Sequence, residues 1–195
     1  MRVISGTARG RSLRAPPEIR PTSDLIKGAI FSMLEALAYK RGIEPDEDGN
    51  FAAALAWPRV LDLFAGSGAL GIEALSRGAT QAEFVDQARD AVRLIESNLR
   101  VTDLASQARV HLAPVTLAVP RLDGPFDLVF LDPPYDVTDA VASTLGLLAA
   151  PGILTERSVV VVEQRARQSA EGAVGPLPLA NSRHHGGTRI SLYAL

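Results

Sequence analysis

Two spacings of apolar residues alternate along most of this chain. Short, mostly apolar runs stop abruptly at polar tips, and between them lie longer stretches in which apolar positions return every three or four residues. The first spacing predicts strands buried on both faces, and the second predicts helices that cover them. Strands are predicted at Val60–Phe64, Ala82–Val85, Val110–Leu112, Leu128–Leu131 and Val159–Val162, with a last one at Arg189–Tyr193. Helices are predicted at Ala69–Arg77, closed by Gly78, at Ala88–Val101, and from about Asp139 to Leu148. Ahead of them Thr22 or Ser23 can cap a helix that carries Ile26, Ile30, Met33, Leu34 and Leu37 at helical spacing. Strands alternating with crossover helices predict an α/β fold built on a parallel, doubly wound sheet. His184 and His185 precede Gly186-Gly187 in what reads as a terminal hairpin turn, a placement that leaves RNA contact as the alternative role for both histidines.

Two segments depart from this alternation. Val3-Ile4 and Arg11-Ser12-Leu13 flank a glycine-containing loop, which predicts two short strands in an amino-terminal arm of residues 1–20. The arm holds Arg2, Arg9, Arg11, Arg14 and Arg20 against the single acid Glu18. Arginines of this kind can fork to phosphates and stack on bases, which favours an RNA-facing role; on a plain solvated hairpin they would serve only solubility. In residues 42–58, Glu44, Asp46, Glu47 and Asp48 cluster beside Pro45, Gly49 and Pro58, as in an acidic loop insertion. Such a loop would repel RNA and is placed away from the substrate path. Residues 21–195 are expected to form one domain.

Composition narrows the chemistry. The chain has no cysteine and three histidines, His111, His184 and His185, so disulfides, Fe–S clusters and thiolate zinc sites are excluded and no metal is expected. No secretory apolar segment follows Met1 and no run approaches the roughly 18 residues of a membrane span, so a cytoplasmic protein with no membrane partner is expected. A net charge of −2 gives no global attraction to nucleic acid, which leaves the arm to supply it.

Candidate chemistry sits at two strand tips. The Leu128–Leu131 run ends in Asp132-Pro133-Pro134-Tyr135. Each proline fixes its own φ and pushes the residue before it towards extended geometry, so the Asp132 carboxylate, the Pro133 carbonyl and the Tyr135 ring acquire a nearly fixed relation. Two acceptors beside an aromatic face suit a planar ring with an exocyclic NH₂ group, whose nitrogen lone pair is then turned towards an electrophile. Read blandly, the same residues are a strand-to-loop turn. The second tip is Asp62-Leu63-Phe64-Ala65-Gly66-Ser67-Gly68-Ala69-Leu70-Gly71, between a strand and a helix. Gly66, Gly68 and Gly71 have dinucleotide-binding spacing, and Asp86, twenty residues after Gly66, can accept both hydroxyls of a ribose. A pyrophosphate disfavours a nearby anion, whereas Asp62 fits beside the cationic methionine moiety of S-adenosylmethionine.

Together these motifs resemble those of class I S-adenosylmethionine-dependent N-methyltransferases, and in detail the bacterial small-subunit ribosomal RNA guanine-N2 methyltransferases. Arg2-Val3-Ile4-Ser5-Gly6, Gly10-Arg11, Arg20-Pro21-Thr22, the stretch Leu61–Ala79 and Asp132-Pro133-Pro134-Tyr135 fall in family order. The resemblance covers nearly the whole chain apart from residues 42–58 and 165–183. It implies a mostly parallel, seven-stranded Rossmann-like sheet with a terminal antiparallel hairpin and a short β-hairpin arm. It further implies S-adenosylmethionine held by Asp62, Phe64, Ala65, Gly66, Ser67, Gly68, Asp86, Gln87, Ala113 and Pro114. Asp132, Pro133, Pro134 and Tyr135 then form the catalytic group, and Arg9, Arg11, Arg14 and Arg20 meet RNA. The implied substrate is 16S ribosomal RNA or an assembling small subunit, and a monomer is expected.

Departures from the family pattern are local. Relatives usually follow the Arg-Pro-Thr-x-Asp motif with Arg-Val-Arg-Glu, where this chain has Leu25-Ile26-Lys27-Gly28. Where relatives place Asp or Asn, Pro114 offers the adenine amino group no side-chain acceptor. Other activities are separable. A nicotinamide-dependent reductase would share the glycine loop, but the only lysines are Lys27 and Lys40 and no Tyr-x-x-x-Lys occurs. A DNA adenine or cytosine amino methyltransferase would need a region that reads duplex sequence. A non-catalytic protein would bind S-adenosylmethionine or RNA without turnover. Glu163, at the end of the Val159–Val162 run, either touches substrate or is an exposed strand end.

Overall fold

The computed structural model describes residues 1–15, 24–45, 56–133 and 140–195. In chain order the elements are α1 (Asp24–Lys40), β1 (Arg59–Leu63), α2 (Ala69–Ser76), β2 (Gln81–Asp86), α3 (Arg89–Thr102), β3 (Ala108–Leu112) and α4 (Val115–Ala118). They continue with β4 (Leu128–Leu131), α5 (Ala140–Leu148), β5 (Val159–Arg165), β6 (Ala173–Val174), β7 (Leu177–His185) and β8 (Thr188–Tyr193). The sheet has eight strands in the order β3-β2-β1-β4-β5-β8-β7-β6. Strands β3 to β5 in that order are parallel, and β8 and β7 are antiparallel additions. The expected seven strands are exceeded by β6, whose two residues pair with Pro178 and Leu177. A ladder that short has no period to read.

Alternation along the central strands divides the core into two layers. Val60, Phe84, Leu128, Phe130, Val159 and Val161 face α1, α2 and α3, while Leu61, Leu63, Val129, Leu131, Val160 and Val162 face α4 and α5. The Phe31 ring on α1 meets Phe130 with centroids 5.9 Å apart. At the other end of α1, Arg41 donates from Nη1 to the Arg157 carbonyl at 3.0 Å and from Nη2 to the Leu195 carbonyl at 2.8 Å. Those carbonyls lie where β5 begins and β8 has ended, so α1 points its first turn towards the carboxyl ends of the parallel strands.

The amino-terminal arm is fastened to this frame. The amide N–H of Val3 donates to the Arg11 carbonyl at 3.0 Å and that of Leu13 to the Met1 carbonyl at 2.9 Å, a hairpin connection. In place of the two expected strands there is a single antiparallel bridge between Arg2 and Ser12. The reason is competition from α2. The Ile4 and Ser5 amides donate to the Glu73 carboxylate at 2.8 and 3.0 Å, the Ala8 amide donates to Ser76 Oγ at 3.0 Å, and the Thr7 amide to the Ser76 carbonyl at 2.7 Å. Gly6 lies at φ +81°, and a Cβ there would come within 1.7 Å of the Ser76 carbonyl oxygen, so only glycine permits this approach. Glu73 is fully buried and also receives Lys27 Nζ at 3.0 Å and Arg77 Nε at 2.9 Å. Arg77 in turn lies over the Phe31 ring at 4.4 Å and pairs with Glu35. Removing one partner from a buried pair leaves an uncompensated charge, which costs about 3–5 kcal/mol.

Three of the family departures, Leu25, Lys27 and Gly28, acquire a structural context here. Lys27 is fully buried and donates to the Arg2 carbonyl at 2.5 Å, so this cation ties α1 to the arm. Leu25 is exposed, and a Cβ on Gly28 would touch only Ile4 Cδ1 at 4.0 Å, so packing dictates the residue at neither position. Of the acidic insertion, Ile43 packs against the core and Trp57 is buried, while residues 46–55 lie outside the described residues. Among the described residues, no helix is long and apolar enough to cross a membrane.

Candidate active site

The glycine loop between β1 and α2 is held by side chains from three elements. Asp86, at the tip of β2, accepts the Gly66 amide on Oδ2 at 2.9 Å and the Ala88 amide on Oδ1 at 2.9 Å. Asn98 of α3 is fully buried, and its Nδ2 donates to the Ser67 carbonyl at 2.9 Å. Inside the loop, Phe64 takes φ +57°, a strained choice for a side chain of that size. Ala65 is buried and its amide donates to the Val85 carbonyl at 3.1 Å, while the Gly68 amide donates to the Ala65 carbonyl at 2.7 Å. Gly66, at φ +56°, would meet nothing closer than 3.9 Å if it carried a Cβ. The loop therefore leaves an open face at Gly66. Gly71 has a different constraint, because a Cβ there would lie 2.4 Å from the Phe84 ring and 3.1 Å from Asp62 Oδ2.

Asp62 is buried beneath this loop, and its Oδ2 accepts the Gly71 amide at 2.9 Å. Burial pushes its carboxyl well above the usual carboxylate range, the Gly71 amide opposes the shift, and the charges of Asp132 and Asp86 add to it. The three carboxyls thus belong to one electrostatic neighbourhood. Strand register explains why. Asp62 stands opposite Phe84 of β2 and Phe130 of β4, and two residues further along, on the same face, come Asp86 and Asp132. On β5 the corresponding residue is Glu163, since Leu131 pairs with Val162.

The remaining cofactor candidates border the β1 and β2 tips. Gln87 is exposed directly after Asp86, and the Ala113 amide donates to the Asp86 carbonyl at 3.0 Å, which closes the end of β3 onto β2. Pro114 is exposed and precedes α4, where its carbonyl accepts the Leu117 and Ala118 amides at 3.0 Å each. Pro114 caps that helix with φ −58° and ψ 140°, a conformation its ring adopts without strain.

At β4, Asp132 is half-buried and Pro133 buried. Pro134, Tyr135 and Arg20 lie outside the described residues. Arg9, Arg11 and Arg14 are exposed on the arm, with Arg11 Nη1 donating to the Val101 carbonyl at 3.4 Å. The arm and the glycine loop meet through a residue that periodicity assigned only to a helix. Asn98 Oδ1 accepts the Arg14 amide at 2.9 Å while its Nδ2 donates to the Arg14 carbonyl at 2.9 Å, in addition to holding Ser67. An asparagine among apolar neighbours on the buried side of α3 is the only signal the sequence offered. Glu163 is buried within a strand. It is 6% exposed and lies inside β5, which runs on to Arg165, so an exposed strand end does not describe it. His184 and His185 both belong to β7 and pair with Arg189 and Thr188. Among the described residues, no group of three acids, histidines or cysteines is gathered to hold a metal.

Comparison with known proteins places the chain in a family. The chain is 36% identical over 99% of its length to a Bacillus subtilis protein described as a candidate rRNA methyltransferase, YlbH, and covers 98% of that protein. It is 33% identical over 84% of its length to the Escherichia coli protein named ribosomal RNA small subunit methyltransferase D, covering 74% of it. Among solved structures, a hypothetical protein of Thermus thermophilus superposes with a TM-score of 0.79 at 29% identity, over 100% of this chain and 99% of the other. The family model described as Conserved hypothetical protein 95 matches residues 1–194, and the chain belongs to that family, the small-subunit ribosomal RNA methyltransferase family its motifs resemble.

Proposed function

We propose that this protein transfers a methyl group from S-adenosylmethionine to the exocyclic N2 amine of a guanine in small-subunit ribosomal RNA, as a cytoplasmic enzyme acting on that RNA or on an assembling subunit. The observation that supports the reading is strand register, which sets Asp86 and Asp132 two residues beyond the partners of buried Asp62, so that the glycine loop and the Asp132-Pro133 tip share one edge of the sheet. The residues present fit the cofactor. Gly66 leaves an open cradle, Asp86 offers carboxylate lone pairs beyond its two backbone bonds, and Asp62 is a carboxyl whose ionised form a nearby cation would favour. When bound, S-adenosylmethionine supplies an electrophilic methyl group on a cationic sulfur.

Asp132 and the Pro133 carbonyl hold the two N–H bonds of the target amine and turn its lone pair out of the base plane. The guanine amine is a weak nucleophile, so positioning and preorganised acceptors contribute more than a strong base does. The proton leaves the amine for Asp132 or water. Tyr135 stacks on a base that has left its helix, as the chemistry of a base inside a stack requires. Arg9, Arg11 and Arg14 hold RNA phosphates.

The test is transfer of labelled methyl to purified small-subunit particles, followed by nucleoside mass spectrometry. N2-methylguanosine is the expected product; methylated adenosine or cytidine as the sole product would overturn the assignment. Replacing the arm arginines Arg9, Arg11 and Arg14 with alanine should weaken RNA binding and make its salt slope shallower by up to about 0.7 per lost phosphate contact. Unchanged affinity and slope would remove the arm from the RNA surface.

A further inference from the structure

Guanine presents its reactive amine in a setting no other base amine shares. The N2 amine lies beside an N1–H donor, whereas the adenine N6 amine and the cytosine N4 amine each lie beside an unprotonated ring nitrogen, an acceptor. With Asp132 and the Pro133 carbonyl taken up by the amine, a site that selects guanine needs one more acceptor next to Asp132. Strand register supplies it. Leu131 and Val162 are the last partners of the parallel β4–β5 ladder, where adjacent strands run about 4.8 Å apart, and Asp132 and Glu163 are the residues that follow them. Both fall on the face that carries Asp62, Phe130 and Val161. Glu163 is 6% exposed, so its carboxyl is screened from bulk water, where an acceptor discriminates most strongly. Its side chain is one methylene longer than that of Asp132, which suits an atom set further along the base edge.

We propose that Glu163 accepts the N1–H of the target guanine and sets the enzyme's preference for guanine over adenine and cytosine, whose amines have no ring N–H beside them. This rests on the guanine-N2 reading above. A carboxylate at that position rejects adenine and cytosine by facing their ring nitrogen with a second lone pair. Glu163 is thereby a specificity residue, while Asp132 serves the reacting amine.

The experiment compares single-turnover methyl transfer to synthetic substrate RNA carrying either guanosine or 2-aminopurine riboside at the methylated position. 2-Aminopurine keeps the amine but has an N1 acceptor. The wild-type protein should favour guanosine by about 10- to 100-fold, the scale of one charge-assisted hydrogen bond. Glu163→Gln should bring the two substrates to within about threefold, because an amide can donate to N1 as well as accept from it. S-adenosylmethionine affinity should stay unchanged, which a buried residue of purely structural importance would not ensure. Glu163→Asp, which keeps the charge and shortens the reach, should slow transfer to guanosine while gaining nothing on 2-aminopurine. A wild-type protein that does not discriminate between the two substrates, or a Glu163→Gln variant that retains the wild-type ratio, overturns the inference and leaves the guanine-N2 reading intact. A wild-type protein that methylates no guanine overturns both.

Discussion

At the β1 and β2 tips, acidic side chains are bonded to the protein's own backbone: Asp62 to Gly71, and Asp86 to Gly66 and Ala88. At the β4 tip, Asp132 is followed by two prolines, whose rings limit the backbone covalently. The proposed cofactor side is thus shaped by side-chain bonds to backbone amides, two of which reach 9 and 20 residues along the chain, and the proposed substrate side by the covalent limits of the prolines that follow Asp132. It follows that substitutions on the first side should disturb folding and binding together. Those on the second should disturb chemistry alone.

The largest effect is expected at the substrate tip. In the proposed mechanism Asp132→Ala removes one of two acceptors on the target amine, and it should lower single-turnover methyl transfer by about 10²–10³. Cofactor affinity should move by less than about 1 kcal/mol, with melting unchanged. A parallel loss of cofactor binding in titration calorimetry would place Asp132 on the other side of the comparison. Next in size, Asp86→Ala should weaken S-adenosylmethionine binding by roughly 1.5–3 kcal/mol and also lower the melting temperature, since two loop amides lose their acceptor. A weakened affinity without any change in melting would mean that the loop does not depend on Asp86 for its shape.

Asn98→Ala sharpens the contrast further, because Asn98 contacts the loop through Ser67 and the arm through Arg14. Its loss leaves buried polar groups unpaired and should reduce the unfolding free energy by about 2 kcal/mol in urea titration, with a smaller loss of cofactor affinity than Asp86→Ala shows. The smallest effect concerns Asp62. Its folded-state carboxyl is raised above the ordinary 3.8 by burial first and by the Asp132 and Asp86 charges after it. A carboxyl shifted in that direction favours the fold while protonated, and its contribution is lost as pH rises through the folded-state value. Asp62→Asn should therefore flatten the decline of the melting temperature with rising pH. The same shift predicts that S-adenosylmethionine, being cationic, releases protons on binding and binds more tightly as pH rises, whereas the neutral product S-adenosylhomocysteine shows less of either effect. Calorimetry in buffers of different ionisation enthalpy measures this directly, and equal proton release by both ligands would contradict it.

Much of this molecule is local information. The runs at Val60–Phe64, Ala82–Val85 and Leu128–Leu131 read as strands buried on both faces, and the amphipathic stretch before Asp103 as a surface helix, because period and burial are written in neighbouring residues. The glycine loop and Asp132 before its prolines were legible as local motifs at single strand ends, and Asp86 through its fixed spacing of twenty residues from Gly66. What the tertiary structure decided is every relation between segments far apart in the chain. Ile4 and Ser5 meet Glu73, Arg14 meets Asn98, and Glu163 stands next to Asp132 because register places them there, while none has a sequence neighbour that signals it. The arm, read from sequence as two short strands joined by a loop, gives the amides of Ile4, Ser5, Thr7 and Ala8 to acceptors on α2. A strand's period determines which face a residue occupies; only the order and register of the strands determine what it faces there.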